Sequence, residues 1–122
     1  MLGQRYDMPS VYASLDIMVS ASRLEGLPMA ILEGMASSLP IIATPVGDVL
    51  VMVHDGLTGV MVPPENAASL ASAIVTLLRN PAQRERLGAA ARKLIEDEFS
   101  AERMTADYLR VYAKAASRGT TR

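Results

Sequence analysis

The chain has 122 residues, which suits one domain and no more. Half of the residues are hydrophobic and 20% are charged, a composition that supports a packed core and argues against intrinsic disorder. The formal net charge is −1 and no basic tract stands out, so nucleic acid is not an expected partner. The sequence has no cysteine and one histidine, which excludes disulfides, thiol nucleophiles and thiolate metal sites. We therefore expect no metal and no other cofactor.

The sequence gives no sign of a membrane span or a secretory signal. No segment approaches the roughly 18–20 continuous apolar residues that a span requires, and the first ten residues lack an apolar signal core. The absence of cysteine fits the cytoplasm, which is the expected location. A basic helix face at Arg84, Arg86, Arg92 and Lys93 could meet a membrane surface, but a solvated face is the stronger interpretation.

In the first half of the chain, short apolar runs alternate with helix signals. The predicted order is helix 9–15, strand 16–20, helix 28–37, strand 40–43, helix 48–54 and strand 60–62. This alternation is typical of an α/β fold, here a partial Rossmann-like parallel sheet of about three short strands with flanking helices and a helical C-terminal half. So small a sheet presents unpaired backbone at its edges, which suggests that part of the domain is missing.

The second half of the chain is predicted to form three helices. Asn66 and Ser100 are N-cap residues by type, and Asn80-Pro81 separates the first helix from the second. Each helix carries apolar residues at the spacing of a buried face. These are Leu70, Ile74, Leu77 and Leu78, then Leu87, Ala91, Leu94 and Ile95, and finally Met104, Tyr108, Val111 and Tyr112. The predicted domain covers 1–117, and the polar end at 118–122 is expected to fray.

The loop and helix between the first two strands carry the candidate site. Gly26 lets a ligand approach the backbone closely, and Pro28 opens a helix whose expected N-cap, Leu27, has no hydrogen-bonding side chain. The N–H groups of Met29 and Ala30 are then free at the positive end of the helix dipole, which favours an anion such as phosphate. In a parallel α/β sheet this loop lies at the carboxyl end of a strand, where ligands bind.

Two carboxylates frame this anion site. Glu25 precedes the helix, and Glu33 lies about a turn and a half inside it, roughly 7–8 Å along the axis from Pro28. Carboxylates accept strong hydrogen bonds from sugar hydroxyls, so the pair suits a ligand that joins phosphate to hydroxyl-rich groups. Nothing indicates the two facing carboxyls of a glycosidase. The ordinary alternatives are an exposed helix residue at Glu33 and a helix-capping role for Glu25.

The run Glu25-GLPMAIL-Glu33 resembles the E-x7-E motif of the retaining GT-B glycosyltransferases of group 1. The flanking segments resemble this family in the same order, beginning with the strand that opens at Asp16. They include LPIIAT (39–44), VG (46–47), DG (55–56), TG (58–59), VPP (62–64) and FS (99–100). The ordered set covers about residues 2–115 and is far more specific than the E-x7-E spacing alone. The chain departs from the family at three positions. The family often has glycine at the positions of Ser38 and Asp48, and glutamate at the position of Val51.

The resemblance implies a role for each part of the candidate site. Glu33 matches the glutamate that holds the ribose hydroxyls of a nucleotide. Glu25 matches the one that helps to orient the transferred sugar, and it is the candidate catalytic residue. The backbone of 26–30 faces the donor's diphosphate, although Pro28 has no N–H. The implied reaction transfers a hexose-type sugar, with retention, from a nucleotide-diphospho-sugar to an acceptor whose proton passes to the departing phosphate.

The resemblance also implies that the N-terminal acceptor domain and the first strands of the donor domain are missing from this chain. We therefore expect binding of a nucleotide sugar without turnover. The alternative is a non-catalytic domain that mainly self-associates, as a homodimer, through an exposed sheet edge or swapped helices. A related GT-B enzyme, such as a sugar-nucleotide epimerase or a phosphorylase, is a third interpretation that the Glu25–Glu33 spacing disfavours.

Overall fold

The computed structural model describes residues 3–119, in which six helices and three strands follow one another along the chain. They are α1 (Met8–Ala13), β1 (Met18–Ser20), α2 (Met29–Ala36), β2 (Ile41–Ala43), α3 (Val49–Met52), β3 (Gly59–Met61), α4 (Ala67–Arg79), α5 (Pro81–Glu98) and α6 (Ala101–Gly119). The order of strands and helices is the predicted one. The tail predicted at 118–122 lies largely outside the described residues.

The three strands form one parallel sheet in the order β1-β2-β3. Met18 of β1 is in register with Ile41 of β2, which is in register with Gly59 of β3. Because all three strands run the same way, their carboxyl ends, at Ser20, Ala43 and Met61, lie along one edge of the sheet. The predicted fold class is therefore confirmed, and the loops that leave this edge are placed where α/β folds bind ligands.

Helices cover both faces of β2. Ile41 and Ala43 belong to a hydrophobic cluster built mainly around α2, which includes Ile31. Ile42, between them, belongs to a second cluster that includes Leu77 of α4. The whole strand is fully buried, as the uninterrupted apolar sequence predicts for a strand covered on both sides.

The predicted N-cap residues mark where the three C-terminal helices begin. The side chain of Asn66 accepts a hydrogen bond from the amide of Ser69 at 2.9 Å, and that of Ser100 accepts one from Arg103 at 3.2 Å. Asn80 lies between α4 and α5 and caps α5. These side chains satisfy amide donors that the first turn of a helix cannot pair internally.

Two side chains near the junction of α4 and α5 depart from the prediction. Leu78 was expected on the buried face but is 53% exposed, since it lies at the margin of the stripe that faces the sheet. Arg84 was expected on a solvated face, and its guanidinium instead donates to the carbonyls of Leu77 and Leu78 at 2.7 and 2.8 Å. It thereby satisfies two carbonyls that the end of α4 leaves open.

Helix α5 lies against the segment that joins α2 to β2. A Cβ added to the buried Gly88 would lie 2.0 Å from the carbonyl oxygen of Ser38, so the backbones of the two elements are in direct contact. Ser38 itself has φ +60°, the left-handed conformation common just after a helix end. This conformation favours glycine, so the serine at this position is held at some cost in backbone energy.

Helix α6 is amphipathic, but no other described part of the chain buries its apolar face. Every residue from Ala101 to Ser117 is exposed, including the predicted apolar stripe. Tyr108 and Tyr112 stack on each other with ring centroids 6.3 Å apart. The expectation that this stripe packs into the core of this chain is therefore wrong. Within residues 3–119, no helix is long and apolar enough to cross a membrane.

Candidate functional site

The loop that follows β1 is tied at its start to the end of β2. Thr44, directly after β2, is buried, and its amide donates to the carbonyl of Ser20 at 3.1 Å. Its hydroxyl donates to the carbonyl of Ser22 at 2.6 Å. These two bonds fix the direction in which the chain leaves the sheet toward Glu25.

Glu25 is half-buried and is held by this loop and the next one. Its Oε1 accepts a hydrogen bond from the hydroxyl of Ser22 at 2.5 Å. Gly47, in the loop after β2, has φ +52°, and a Cβ there would lie 2.0 Å from the carbonyl oxygen of Glu25. The amide of Asp48 donates to the carbonyl of Gly26 at 3.3 Å. The two loops therefore pack backbone against backbone, and Gly47 is a site residue that the sequence analysis did not single out.

The start of α2 presents free amide groups, as predicted, but begins one residue later than expected. Pro28, not Leu27, is the N-cap, because its ψ of 92° is extended and helical geometry starts at Met29. No side chain caps the helix. The amide of Ile31 bonds to the carbonyl of Pro28 at 2.9 Å. Within residues 3–119, the amides of Met29 and Ala30 have no acceptor, so they remain available to an anion.

Gly26 stands beside open space. An added Cβ would meet no atom within 4 Å, in contrast to Gly47. Leu27 and Met29 are exposed at 51% and 56%, so the loop that precedes α2 faces solvent. A ligand can therefore reach the backbone of this loop directly.

Glu33 is exposed on α2, about 6 Å along the helix axis from Met29. Its Oε2 accepts a hydrogen bond from the hydroxyl of Tyr12 at 2.7 Å. It borders a groove of about 300 Å³ between α1 and α2. Met8, Pro9 and Tyr12 of α1 form the opposite wall. The carboxylate thus has an apolar surface beside it.

Tyr12 connects this carboxylate to the core. It belongs to the cluster around α2 and is 6% exposed. Burial, together with the hydrogen bond to Glu33 and the charge of Glu33, raises the pKa of Tyr12 to about 12. Deprotonation is unfavourable because it would place a second negative charge in an apolar setting beside a carboxylate.

The raised pKa of Tyr12 predicts a loss of stability at high pH. The phenol titrates near 10.0 when unperturbed and at about 12 in the folded chain. The stabilisation is therefore complete below about pH 10 and is lost as the pH rises toward about 12, with a limit on the order of 2 kcal/mol. Denaturant unfolding at increasing pH should show wild type losing free energy of unfolding that Tyr12→Phe does not lose. Parallel losses in the two proteins would contradict the prediction.

The arginines nearest to the site in sequence are already paired with carboxylates. Arg5 contacts Asp7 at 2.5 Å, and Arg23 contacts Glu65 at 2.8 Å. Within the described residues, no group of three or more potential metal-ligating side chains is found. The backbone amides at the start of α2 are the groups of this loop that are free to bind a phosphate.

The family model described as "Glycosyl transferases group 1" matches residues 1–80. The chain belongs to this family. Alpha-D-kanosaminyltransferase of Streptomyces kanamyceticus is 36% identical to this group 1 glycosyltransferase chain over 93 residues, which are 76% of this chain and 24% of that protein. The chain spans about a quarter of the length of such curated relatives, between 24% and 29% for the first three.

Two solved structures show the same fold as this glycosyltransferase chain. The C-terminal domain of a group 1 glycosyl transferase (LpcC) from Francisella tularensis matches with a TM-score of 0.75 and 28% identity, over 83% of this chain and 52% of that one. Anabaena HepE, in complex with UDP, matches with a TM-score of 0.86 and 21% identity, over 90% of this chain and 30% of that one. The Rossmann-like arrangement around β1, α2 and β2 is thus that of GT-B proteins.

Proposed function

We propose that this chain is the donor-binding part of a retaining glycosyltransferase that uses a nucleotide-diphospho-sugar. The observation that carries the proposal is the pair of free amides at Met29 and Ala30, with Glu25 before them and Glu33 one turn beyond. Membership of the group 1 family and the match to a C-terminal domain of that family support it. The arrangement offers donors to a phosphate and acceptors to hydroxyls on either side.

In this proposal the donor lies along the start of α2. The diphosphate accepts hydrogen bonds from the amides of Met29 and Ala30, and the ribose hydroxyls donate to Glu33. Glu25, held by Ser22, accepts a hydroxyl of the sugar and fixes its orientation. These contacts position the donor before any bond changes, which is the main contribution of such a site.

The helix start then stabilises the departing group. The bond from the anomeric carbon to the diphosphate breaks and negative charge grows on the phosphate oxygen, close to the positive end of α2. The acceptor oxygen forms the new bond on the same face, and its proton passes to the departing phosphate. The transferred sugar in this proposal is of the hexose type. The acceptor is held by a further domain of the enzyme, so this chain alone should give no turnover.

A nucleotide titration tests the proposal. UDP, GDP, ADP and CDP are added to the isotope-labelled chain and followed by amide NMR shifts, with weak binding expected at a Kd on the order of 1 mM. Shifts should centre on 26–33, and Glu33→Ala should weaken binding by about tenfold or more, since it removes a charged acceptor. Glu85→Ala, which removes the same atoms from an exposed position on α5, is the control. Absence of binding by all four nucleotides at about 10 mM would sink the proposal.

The exposure of α6 favours a second function, self-association. A second copy packed antiparallel on this helix, centred at Tyr108, would cover both apolar stripes and bring Glu102 of each copy toward Lys114 of the other. Sedimentation should then show a dimer that Tyr108→Glu weakens by about tenfold or more, because it buries a charge. Glu85→Ala should leave the dimer unchanged. A monomer across the concentration range would rule this function out.

A further inference from the structure

We propose that Tyr12 is a positioning residue for nucleotide binding, which sets the oxygen of Glu33 that faces the ribose. The inference rests on the proposed function and adds a residue to it. Tyr12 is 6% exposed and packed in the core, whereas Glu33 is exposed on α2. The hydroxyl of Tyr12 donates to Oε2 of Glu33 at 2.7 Å.

This bond restrains a side chain that has little else to hold it. Within residues 3–119, Glu33 forms no ion pair, and Tyr12 is the hydrogen-bond partner of its side chain. An exposed glutamate without such a partner samples several rotamers, and a ligand would have to select one of them. The bond to Tyr12 occupies Oε2 and leaves Oε1 to accept from ligand hydroxyls.

The position of Tyr12 is set by α1 and by the core. Tyr12 is the buried residue of α1 and packs in the cluster around α2. Its ring therefore cannot follow Glu33 if the carboxylate turns away. The vicinal hydroxyls of a ribose are the ligand groups that a carboxylate pinned in this way would recognise.

A purely structural Tyr12 would affect all ligands equally, so the test compares two. The ligands are the diphosphate that wild type binds most tightly among UDP, GDP, ADP and CDP, and the 2′,3′-dideoxy form of the same nucleotide. Wild type should prefer the ribonucleotide. Tyr12→Phe should bind the ribonucleotide about three- to tenfold more weakly, the range for one hydrogen bond, with little change for the dideoxy form. Tyr108→Phe, which removes an exposed hydroxyl on α6, should change neither.

The outcomes separate this inference from the proposed function. Failure of wild type to bind any nucleotide overturns both. Equal binding of the two ligands by wild type overturns the ribose contact of Glu33, and the inference with it. A Tyr12→Phe protein that keeps the wild-type preference, or weakens both ligands equally, overturns the inference alone.

Glu33→Gln supplies a second test in case Tyr12→Phe does not fold. Tyr12 can donate only to the amide oxygen of the glutamine, which turns the NH₂ group toward the ribose. The charged acceptor that faces the ribose is then replaced by a neutral NH₂ donor, and most of the preference for the ribonucleotide should be lost. A Glu33→Gln protein that keeps the full wild-type preference for the ribonucleotide would overturn the inference.

Discussion

Gly47→Ala is expected to lower the free energy of unfolding by about 2–4 kcal/mol and to remove measurable nucleotide binding. Gly47 has φ +52°, a conformation that costs alanine about 1–2 kcal/mol. Its added Cβ would also lie 2.0 Å from the carbonyl oxygen of Glu25. Because that atom belongs to the backbone, relief of the overlap requires movement of the loop that carries Glu25. Denaturant unfolding and the amide NMR titration measure the two effects.

Gly26→Ala is the matched control for Gly47→Ala. The substitution is the same and lies in the contacted loop, but the Cβ would meet no atom within 4 Å. The free energy of unfolding should therefore change by less than about 1 kcal/mol. Nucleotide binding should still weaken, because the methyl group fills the space through which a ligand approaches the backbone. A Gly47→Ala protein as stable as Gly26→Ala would contradict the prediction.

Gly88→Ala is the second substitution with a large expected effect, a net destabilisation of about 2–3 kcal/mol. Alanine has the higher helix propensity by about 1 kcal/mol, so propensity alone predicts the opposite sign. The overlap decides the outcome, since the Cβ of residue 88 would lie 2.0 Å from the carbonyl oxygen and 2.9 Å from the carbonyl carbon of Ser38. Denaturant unfolding of the two proteins measures the difference.

One neighbouring substitution isolates the helix-propensity contribution at Gly88, and a second tests the backbone strain at Ser38. Ala89 is exposed on the same helix, so Ala89→Gly reports the propensity alone and should cost about 1 kcal/mol. Ser38→Gly should stabilise by about 0.5–1 kcal/mol, because it relieves the φ of +60°. A Gly88→Ala protein more stable than wild type would show that α5 moves away from this segment at little cost.

The uncapped start of α2 could be predicted from the sequence, whereas the packing around it could not. The open start of α2 follows from Pro28 and the absence of a capping side chain, both of which are local properties. The contacts of Gly47 with Glu25 and of Tyr12 with Glu33 join residues about 21 or 22 positions apart, and no local pattern encodes them. The glycine in the turn after β2 was a usable signal for the first contact. The second had none.

What the sequence by itself determined was the order of the elements and the uncapped start of α2. Apolar periodicity, caps and the Asn80-Pro81 break act over a few residues, so they can be predicted without knowledge of the fold. Only the tertiary structure decided which side chains hold the two glutamates and where α6 lies. A periodic stripe shows that a helix has an apolar face, but not that the chain supplies its cover. The exposed Tyr108 and Tyr112 are the clearest example of this difference.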